Sequence, residues 1–326
     1  MTTSNFTLIK HTDRTEWLAA RKHGIGASEA AQLATIDGIP ISNWGSPFSL
    51  YQEKVSPPKN EPTTERQMIW GTILEPGIRQ VVADRLGQEI SHEPWGIHWK
   101  EPSEDDPRFQ FASLDGWIDD PCPPETGTEL LQELFEYDER ITGPGVIELK
   151  SDARPPWDKP PLVYMIQVQH QLSVTGWKWG ILGVFFSIDQ SIRLYPIVRD
   201  DTMIRKLNRT ELSFWRNHVL AKTPPPPDGT DATRRALAEL YDDPTDEAID
   251  LADDMSDTIE RLEDAKARRK EIDERIALME NQLKAAMGNH TIGFTAAGYR
   301  VTWKQQTRKE HIVKESTFRV LRVKMP

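Results

Sequence analysis

Apolar residues in GTILEPGIRQVVADRLG fall at positions 74, 78, 81, 82 and 86, one face of a helix, and the run stops at Gly87. Upstream, DRTEWLAAR sets Asp13 three residues before Glu16, a capping-box arrangement that predicts a helix start, and ASEAAQLA predicts a second one after the HGIG break. Downstream the period changes. FQFASLDGWIDD and PGVIELKS read as strands, the latter short and buried, YMIQVQHQLSVTG as a helix, and WGILGVFFSI and SIRLYPIVR as two further strands. Thr210 to Val219 continues a final helix. Helices flanking a small central sheet make the fold α/β (α+β).

The clearest break is KTPPPPDGTD at 222–231, where four consecutive prolines favour a stiff polyproline spacer. It predicts one domain over 1–222, a linker at 223–230 and an accessory module over 231–326. The module begins with a long polar helix, roughly 245–287. In it Met255, Ile259 and Leu262, then Ile272, Ile276, Met279 and Leu283, repeat at coiled-coil intervals, with Ala265 and Arg269 interrupting the stripe. TIGFTAAGYRVTWKQ alternates around AAG and reads as a β-hairpin. A helix plus a hairpin is read as a packing module rather than a catalytic one.

Composition narrows the class. The chain has 326 residues, 37% hydrophobic and 28% charged, and no run approaches the roughly 18 apolar residues of a membrane helix. MTTSNFTLIKHTDR lacks the basic start and apolar core of a secretory signal. The single cysteine, Cys122, excludes an internal disulfide and any multi-cysteine zinc or iron–sulphur site. A cytoplasmic protein is expected. The net charge of −11 does not exclude nucleic acid, because local fields decide binding. Asp119–Glu139 carries eight acids and no base, whereas Gly298 to the end carries eight bases and two acids. Arg300, Lys304, Arg308 and Lys309 in the second region are placed to add salt-sensitive contacts to phosphate.

The candidate chemistry gathers at strand ends. Asp115 follows FQFASL, and Glu148 follows GVI in GVIELK. Alternate residues of a strand share a face, so Glu148 and Lys150 point to one site while Leu149 points into the core, leaving its carbonyl free to meet a metal. Magnesium prefers such oxygen ligands, and a lysine beside the attacking water can orient it or stabilise developing negative charge. Glu75 adds an acid on a helix whose other face is apolar, and Tyr164, Gln167 and Gln171 share one helical face by their spacing. An ExK triplet alone is common on solvated strand ends; the surrounding acids and glutamines raise its meaning.

RKHGIGASEAA, GTILEPGI, FASLDGWID, GVIELKS and YMIQVQHQLSVTG, in this order, resemble the YqaJ-type viral recombinase family, which includes lambda exonuclease and belongs to the PD-(D/E)xK nuclease superfamily. The likeness covers roughly residues 13–190. It implies a restriction-endonuclease-like core with a central mixed sheet. Asp115, Glu148 and the Leu149 carbonyl match the metal-binding positions, Lys150 the catalytic lysine, Glu75 the additional acid and Gln167 the glutamine of the QVQ motif. Arg21 and Ser28 match residues that hold the 5′-phosphate of the recessed strand; Ser28 stands at a predicted helix start, where free amides favour an anion, and arginine clamps phosphate with two bonds. Tyr164 and Gln171 join them as candidate DNA contacts.

The resemblance therefore implies a magnesium-dependent (manganese-tolerant) exonuclease that resects duplex DNA 5′→3′ and leaves 3′ single strands. It also implies a single-strand annealing protein as partner in phage or prophage recombination inside a bacterial host cell, and a ring-shaped homotrimer. Leu114 stands where the superfamily has proline, and Glu148 follows Asp115 by 33 positions. His170, beside the glutamines, is read as structural, because the metal already activates water. Two alternatives stay open: a RecB-like nuclease acting as an endonuclease or on single strands, and a non-catalytic DNA-end-binding adaptor.

Overall fold

The computed structural model describes residues 5–36, 39–42, 44–56, 66–103, 107–119, 133 and 143–307. Most of the acidic 119–139 stretch, with Cys122, lies outside them, as do Arg308, Lys309 and the rest of the basic tail. Two compact units result, Met1–Tyr241 and Asp242–Pro326.

The first unit opens with β1 (Phe6–Lys10) and α1 (Arg14–Arg21). Asp13 caps the helix as read, its carboxylate accepting the amides of Thr15 and Glu16 at 2.7 and 3.0 Å, but Glu16 accepts the amide of Thr12 at 3.0 Å rather than that of Asp13, so the reciprocal half of the capping box is displaced by one residue. The HGIG break becomes β2 (Ile25–Gly26), followed by a single turn, α2 (Ala27–Ala30), and a small ladder of β3 (Thr35–Ile36) with β4 (Ile39–Pro40). Two helices follow, α3 (Pro47–Val55) and α4 (Arg66–Leu86), the latter carrying Pro76 internally. Next come β5 (Gly96–Lys100), β6 (Gln110–Ala112) and β7 (Gly116–Ile118). FQFASLDGWIDD is thus two strands rather than one, with the chain turning between them at Ser113–Asp115.

β8 (Gly145–Asp152), α5 (Leu162–Thr175) and β9 (Trp179–Phe186) form a parallel strand–helix–strand crossover, and β10 (Ser191–Val198) returns antiparallel. Two mixed sheets result, in strand orders β1-β5-β6-β2 and β10-β9-β8-β7. β8 and β9 read as near-continuous apolar runs because both of their faces are covered. On one face Ile147, Leu149 and Ile181 pack against Ile78, Val82 and Leu86 of α4; on the other Val146, Leu182 and Val184 pack against Val168 and Leu172 of α5. α5 is buried all round from Ile166 to Thr175, and Gly176, at φ +75°, ends it in the left-handed conformation suited to glycine.

Buried polar side chains on α5 must find partners, and they tie the two sheets together. Gln169 donates to the Val198 carbonyl at 2.7 Å. His170 lies 2.9 Å from the Glu211 carboxylate through Nδ1 and 3.0 Å from the Phe111 carbonyl through Nε2, a structural role as expected.

α6 (Asp201–Phe214) begins nine residues earlier than the sequence suggests, capped by Asp200, and widens into a π-turn at Trp215–Leu220. The proline run does not end this unit: Pro225 is buried, and α7 (Asp231–Leu240) packs on α3 with Thr233 Oγ1 2.7 Å from Ser46 Oγ. The second unit holds α8 (Asp254–Met287) and the antiparallel hairpin β11 (Ile292–Phe294) with β12 (Arg300–Thr302). Among the described residues no helix is long and apolar enough to cross a membrane.

Candidate active site

The register of β7 and β8 places the acids. Gly116 pairs with Ile147, so Asp115 stands one residue before the ladder begins, level with Glu148 of β8. There its Oδ2 accepts the Leu149 amide at 2.8 Å. Within a strand the N–H and C=O of one residue point to the same edge, so the Leu149 carbonyl also faces the edge where β7 has ended and Asp115 begins. The Leu149 side chain is in the core, as its alternation requires.

Glu148 and Lys150 project from the opposite face of β8 toward α5. Glu148, only 1% exposed, accepts Gln167 Nε2 at 2.6 Å on Oε1 and Gln171 Nε2 at 2.5 Å on Oε2, and its Oε1 is ion-paired with Lys150. The two glutamines lie one helical turn apart, which is why both reach one carboxylate. Gln171 Oε1 is buried beside it with no hydrogen-bond partner among the described residues. The Lys150 ammonium sits 5.9 Å from the Tyr164 ring, which stacks on Trp157 at 5.3 Å and Trp44 at 6.5 Å. Tyr164 therefore forms an aromatic wall beside the lysine.

Glu75, on α4, is held by Arg79, whose Nη2 lies 2.5 Å from Glu75 Oε1 and whose Nε donates to the Asp115 carbonyl at 2.8 Å. Arg79 was missed by sequence reading, although its position four residues after Glu75 is the signal for such a pair.

The electrostatics follow from crowding acids in a dry site. Burial, then the neighbouring Asp115, pushes Glu148 up to about 7 from an ordinary 4.5, against the opposing pull of Lys150. Burial also raises Asp115, with Lys150 opposing and Glu75 adding to the rise. Glu75 is raised by burial, with Arg79 opposing and Glu148 reinforcing the rise. For Lys150 burial works against the charge, but the Glu148 and Asp115 carboxylates more than offset it and hold the ammonium above the usual lysine range. Lys150 is therefore a cation here, not a base.

Among the described residues no three His, Cys, Asp or Glu side chains converge as a metal cluster. The ligand set read from the sequence is instead two carboxylates and a main-chain carbonyl. These are hard oxygen donors, and raised carboxylates are the ones a divalent cation would most relieve, so Asp115, Glu148 and the Leu149 carbonyl fit magnesium or manganese.

The second cluster surrounds Arg21. Its guanidinium lies 4.5 Å from the Trp17 ring and 5.2 Å from the Phe111 ring, with Nη2 3.2 Å from Glu29 Oε1 and 3.5 Å from Ser28 Oγ. Glu29 is buried; it also accepts the Gly26 amide at 2.9 Å and pairs at 2.7 Å with Lys54, which donates to the Arg21 carbonyl at 3.0 Å. For Glu29, burial is outweighed by Lys54 and Arg21, and its carboxyl is held below the usual range. Arg21 and Ser28 are thus brought together. The helix in which Ser28 stands second, after the Gly26 cap and Ala27, is only a four-residue turn, so its dipole adds little and the positive charge is Arg21's. Trp17 Nε1 donates to Ser113 Oγ at 3.1 Å, two residues before Asp115, which ties this cluster to the acids. Glu29, Lys54 and Ser113 were not singled out in the sequence.

Similar solved structures include an alkaline exonuclease (LHK-Exo) from Laribacter hongkongensis, 21% identical, covering 70% of this chain and 100% of that one at a TM-score of 0.44. A phage related exonuclease from Haemophilus somnus 129PT is 10% identical, covering 61% of this chain and 96% of that one at a TM-score of 0.39. Among curated proteins, the uncharacterized protein YqaJ of Bacillus subtilis (strain 168) is 25% identical over 296 residues, 89% of this chain and 83% of its own length. The family description of a YqaJ-like viral recombinase domain matches residues 16–178. The chain belongs to the YqaJ-like viral recombinase family.

Proposed function

We infer that the protein is a magnesium-dependent deoxyribonuclease that degrades one strand of duplex DNA 5′→3′ and leaves 3′ single-stranded overhangs. The observation that carries this reading is the convergence of Asp115, Glu148, Lys150 and Gln167 at one strand edge, with the Leu149 carbonyl directed to the same place. Polarity comes from the family resemblance and is supported by the Arg21–Ser28 pair, which suits a terminal 5′-phosphate.

Magnesium held by Asp115, Glu148 and the Leu149 carbonyl would neutralise charge on the scissile phosphate and ease ionisation of the attacking water. Lys150, kept cationic, orients that water and steadies the negative charge that develops on the phosphoryl oxygens. Gln167 and Gln171 fix the Glu148 carboxylate so that Lys150 has one place to be. Attack at phosphorus displaces the 3′ oxygen of the terminal nucleotide, which takes up a proton, and the shortened strand again ends in a 5′-phosphate. Arg21 and Ser28 would hold that phosphate for the next cycle, and Tyr164 would pack beside the substrate.

In the cell the product strand would pass to a single-strand annealing protein, in the cytoplasm of a bacterial host during phage or prophage recombination, with the nuclease itself a homotrimer. The test is Lys150→Ala on linear 5′-phosphorylated duplex: DNA binding persists, and nucleotide release with magnesium or manganese falls by about 100-fold or more. Release at the wild-type rate would remove Lys150 from the mechanism, and rapid cleavage of closed circular DNA would replace the exonuclease by an endonuclease.

A further inference from the structure

The two faces of the β11–β12 hairpin differ. In an antiparallel ladder, residues directly opposite each other share a face. Gly293 pairs with Val301, and both are half-buried; a side chain at Gly293 would meet Met287 Cγ, at the end of α8, at 3.9 Å. The other face points away from α8 and carries Ile292 opposite Thr302 and Phe294 opposite Arg300. Phe294 is 75% exposed. The turn that follows it is ordered: the Thr295 amide donates to the Tyr299 carbonyl at 3.0 Å, and the Tyr299 amide donates to Thr295 Oγ1 at 3.1 Å. The backbone at Tyr299, whose ring is 73% exposed, is thereby fixed next to Arg300. Ile292, Phe294, Tyr299 and Trp303 are all exposed within a dozen residues, a density that marks an interaction surface rather than stray apolar positions.

The surrounding charge identifies what would cover these rings. No acid occurs between Glu280 and Glu310, a span that holds Lys284, Arg300, Lys304, Arg308 and Lys309, in a chain of net charge −11. The side chains of Arg300 and Lys304 have no acidic partner among the described residues. Past β12 the Trp303 amide still donates to the Thr291 carbonyl at 3.0 Å, so the pairing continues and alternation puts Lys304 on the face of Arg300 and Thr302. A ligand that is both negatively charged and flat suits this face. Phosphates meet the cations, and an unpaired base has a free π-face for Phe294. Duplex DNA offers base edges and backbone, because its base faces are stacked on one another. An acidic peptide offers the charge without the flat surface.

We propose that the outward face of the β11–β12 hairpin binds single-stranded DNA, with a base stacked on Phe294 and neighbouring phosphates on Arg300 and Lys304. The strand it takes is the 3′ overhang left by resection, so the source of the ligand rests on the proposed function. The contact itself uses no residue of the candidate active site.

The experiment is fluorescence anisotropy of the full-length chain with a 3′-labelled oligothymidylate of about eight nucleotides, within the span of a single-strand-binding module. The oligonucleotide carries a 5′-hydroxyl and the buffer a chelator, so neither cleavage nor a 5′-phosphate contact at Arg21 contributes. Phe294→Ala should weaken binding by about tenfold, the worth of one stacked base. Phe294→Trp should retain it, and Phe294→Leu should lose as much as alanine. Arg300→Ala should reduce the salt slope of binding by about 0.7, the share of one phosphate on a single strand. Wild-type affinity in Phe294→Ala overturns the proposal. So does wild-type affinity in Phe294→Leu, which would make the face an apolar contact for a protein. An equal loss in Phe294→Ala on a blunt 5′-hydroxyl duplex would also overturn it, by removing the preference for unpaired bases. Nucleotide release from 5′-phosphorylated duplex with magnesium is scored in parallel. A wild type that releases nothing, yet depends on Phe294 for single-strand binding, would sink the nuclease reading and leave this site standing. Full release with binding indifferent to Phe294 would do the reverse.

Discussion

Glu148 should cost the metal-free protein stability, and Glu148→Gln should recover it. The carboxyl is 1% exposed and sits at about 7 in the fold against an ordinary 4.5. That interval corresponds to about 3 kcal/mol. The folded state retains a proton that the unfolded state releases, so stability from this group is present at and below pH 4.5, falls as pH climbs through about 7, and is flat beyond. A glutamine of the same shape carries no such loss. Wild type and Glu148→Gln should therefore melt together near pH 4.5 and diverge above it. By pH 8.5 in chelator the variant should be higher by about 6–12 °C, from about 2–4 °C per kcal/mol for a unit of this size. Because Asp115 competes for the same proton, Asp115→Asn should capture part of the same gain. Magnesium should raise wild type and leave Glu148→Gln nearly unmoved. Calorimetry or thermal fluorescence across that pH range is the assay. Coincident melting at pH 8.5, or a gap that widens toward acid, would refute the idea that burial and Asp115 oppose ionisation of Glu148.

Magnesium must displace that proton, so the concentration needed for half-maximal cleavage should fall about tenfold per pH unit up to about 7 and then level, read from titrations at fixed DNA. Arg21→Ala should weaken apparent affinity for a 5′-phosphorylated end by about 10–100-fold and leave a 5′-hydroxyl end nearly unchanged, from the worth of a charge-assisted contact; equal losses on both ends would remove the phosphate role. Lys54→Met should destabilise the first unit by about 3 kcal/mol at neutral pH, because the buried Glu29 then loses one of its two paired cations and keeps Arg21 and the Gly26 amide. Glu29 is held below the usual range, so its stabilisation exists above the unfolded value and disappears as pH falls through the lower folded one. The gap between Lys54→Met and wild type should accordingly close in acid, as measured by urea titration.

The parts of this molecule that were legible in the sequence are those written in local spacing. The apolar runs of β8 and β9 and the face of α4 announce themselves because burial on a sheet or a helix imposes a period. Glu148 with Lys150, and Gln167 with Gln171, follow from the same periods, and each pair shares a face in the fold. FQFASLDGWIDD shows the limit. Its alternation is that of a strand, yet the chain turns at Ser113–Asp115 and the two halves enter different sheets, since a period of two says nothing about which neighbour a strand takes. Lys54 lies 25 residues from Glu29 in sequence, and no local pattern marks their buried pairing. The first unit extends through α7 because Pro225 is buried rather than exposed, which composition alone cannot express.

The charges of the candidate site argue for an obligatory order of assembly. Glu75, Asp115 and Glu148 supply three negative charges when ionised, and Arg79 and Lys150 return two. His92, 3.9 Å from Glu75, adds nothing near neutrality, because burial, then Arg79, holds its imidazole below the usual range. Glu75 and Glu148 each have their cation, while Asp115 is left with only the Leu149 amide as a direct donor among the described contacts. Above about pH 7, where Glu148 has released its proton, the site is therefore one charge negative, and a phosphodiester, itself negative, would be repelled from it. A divalent cation reverses that sign to one positive, and the phosphodiester then brings the sum to zero. Productive binding of DNA at this edge should consequently require the cation first, whereas binding through Arg21 need not. A duplex with a 5′-phosphate should still bind in chelator but sit there uncut, and the loss of affinity on chelation should be smaller in Asp115→Asn, where the excess negative charge is gone.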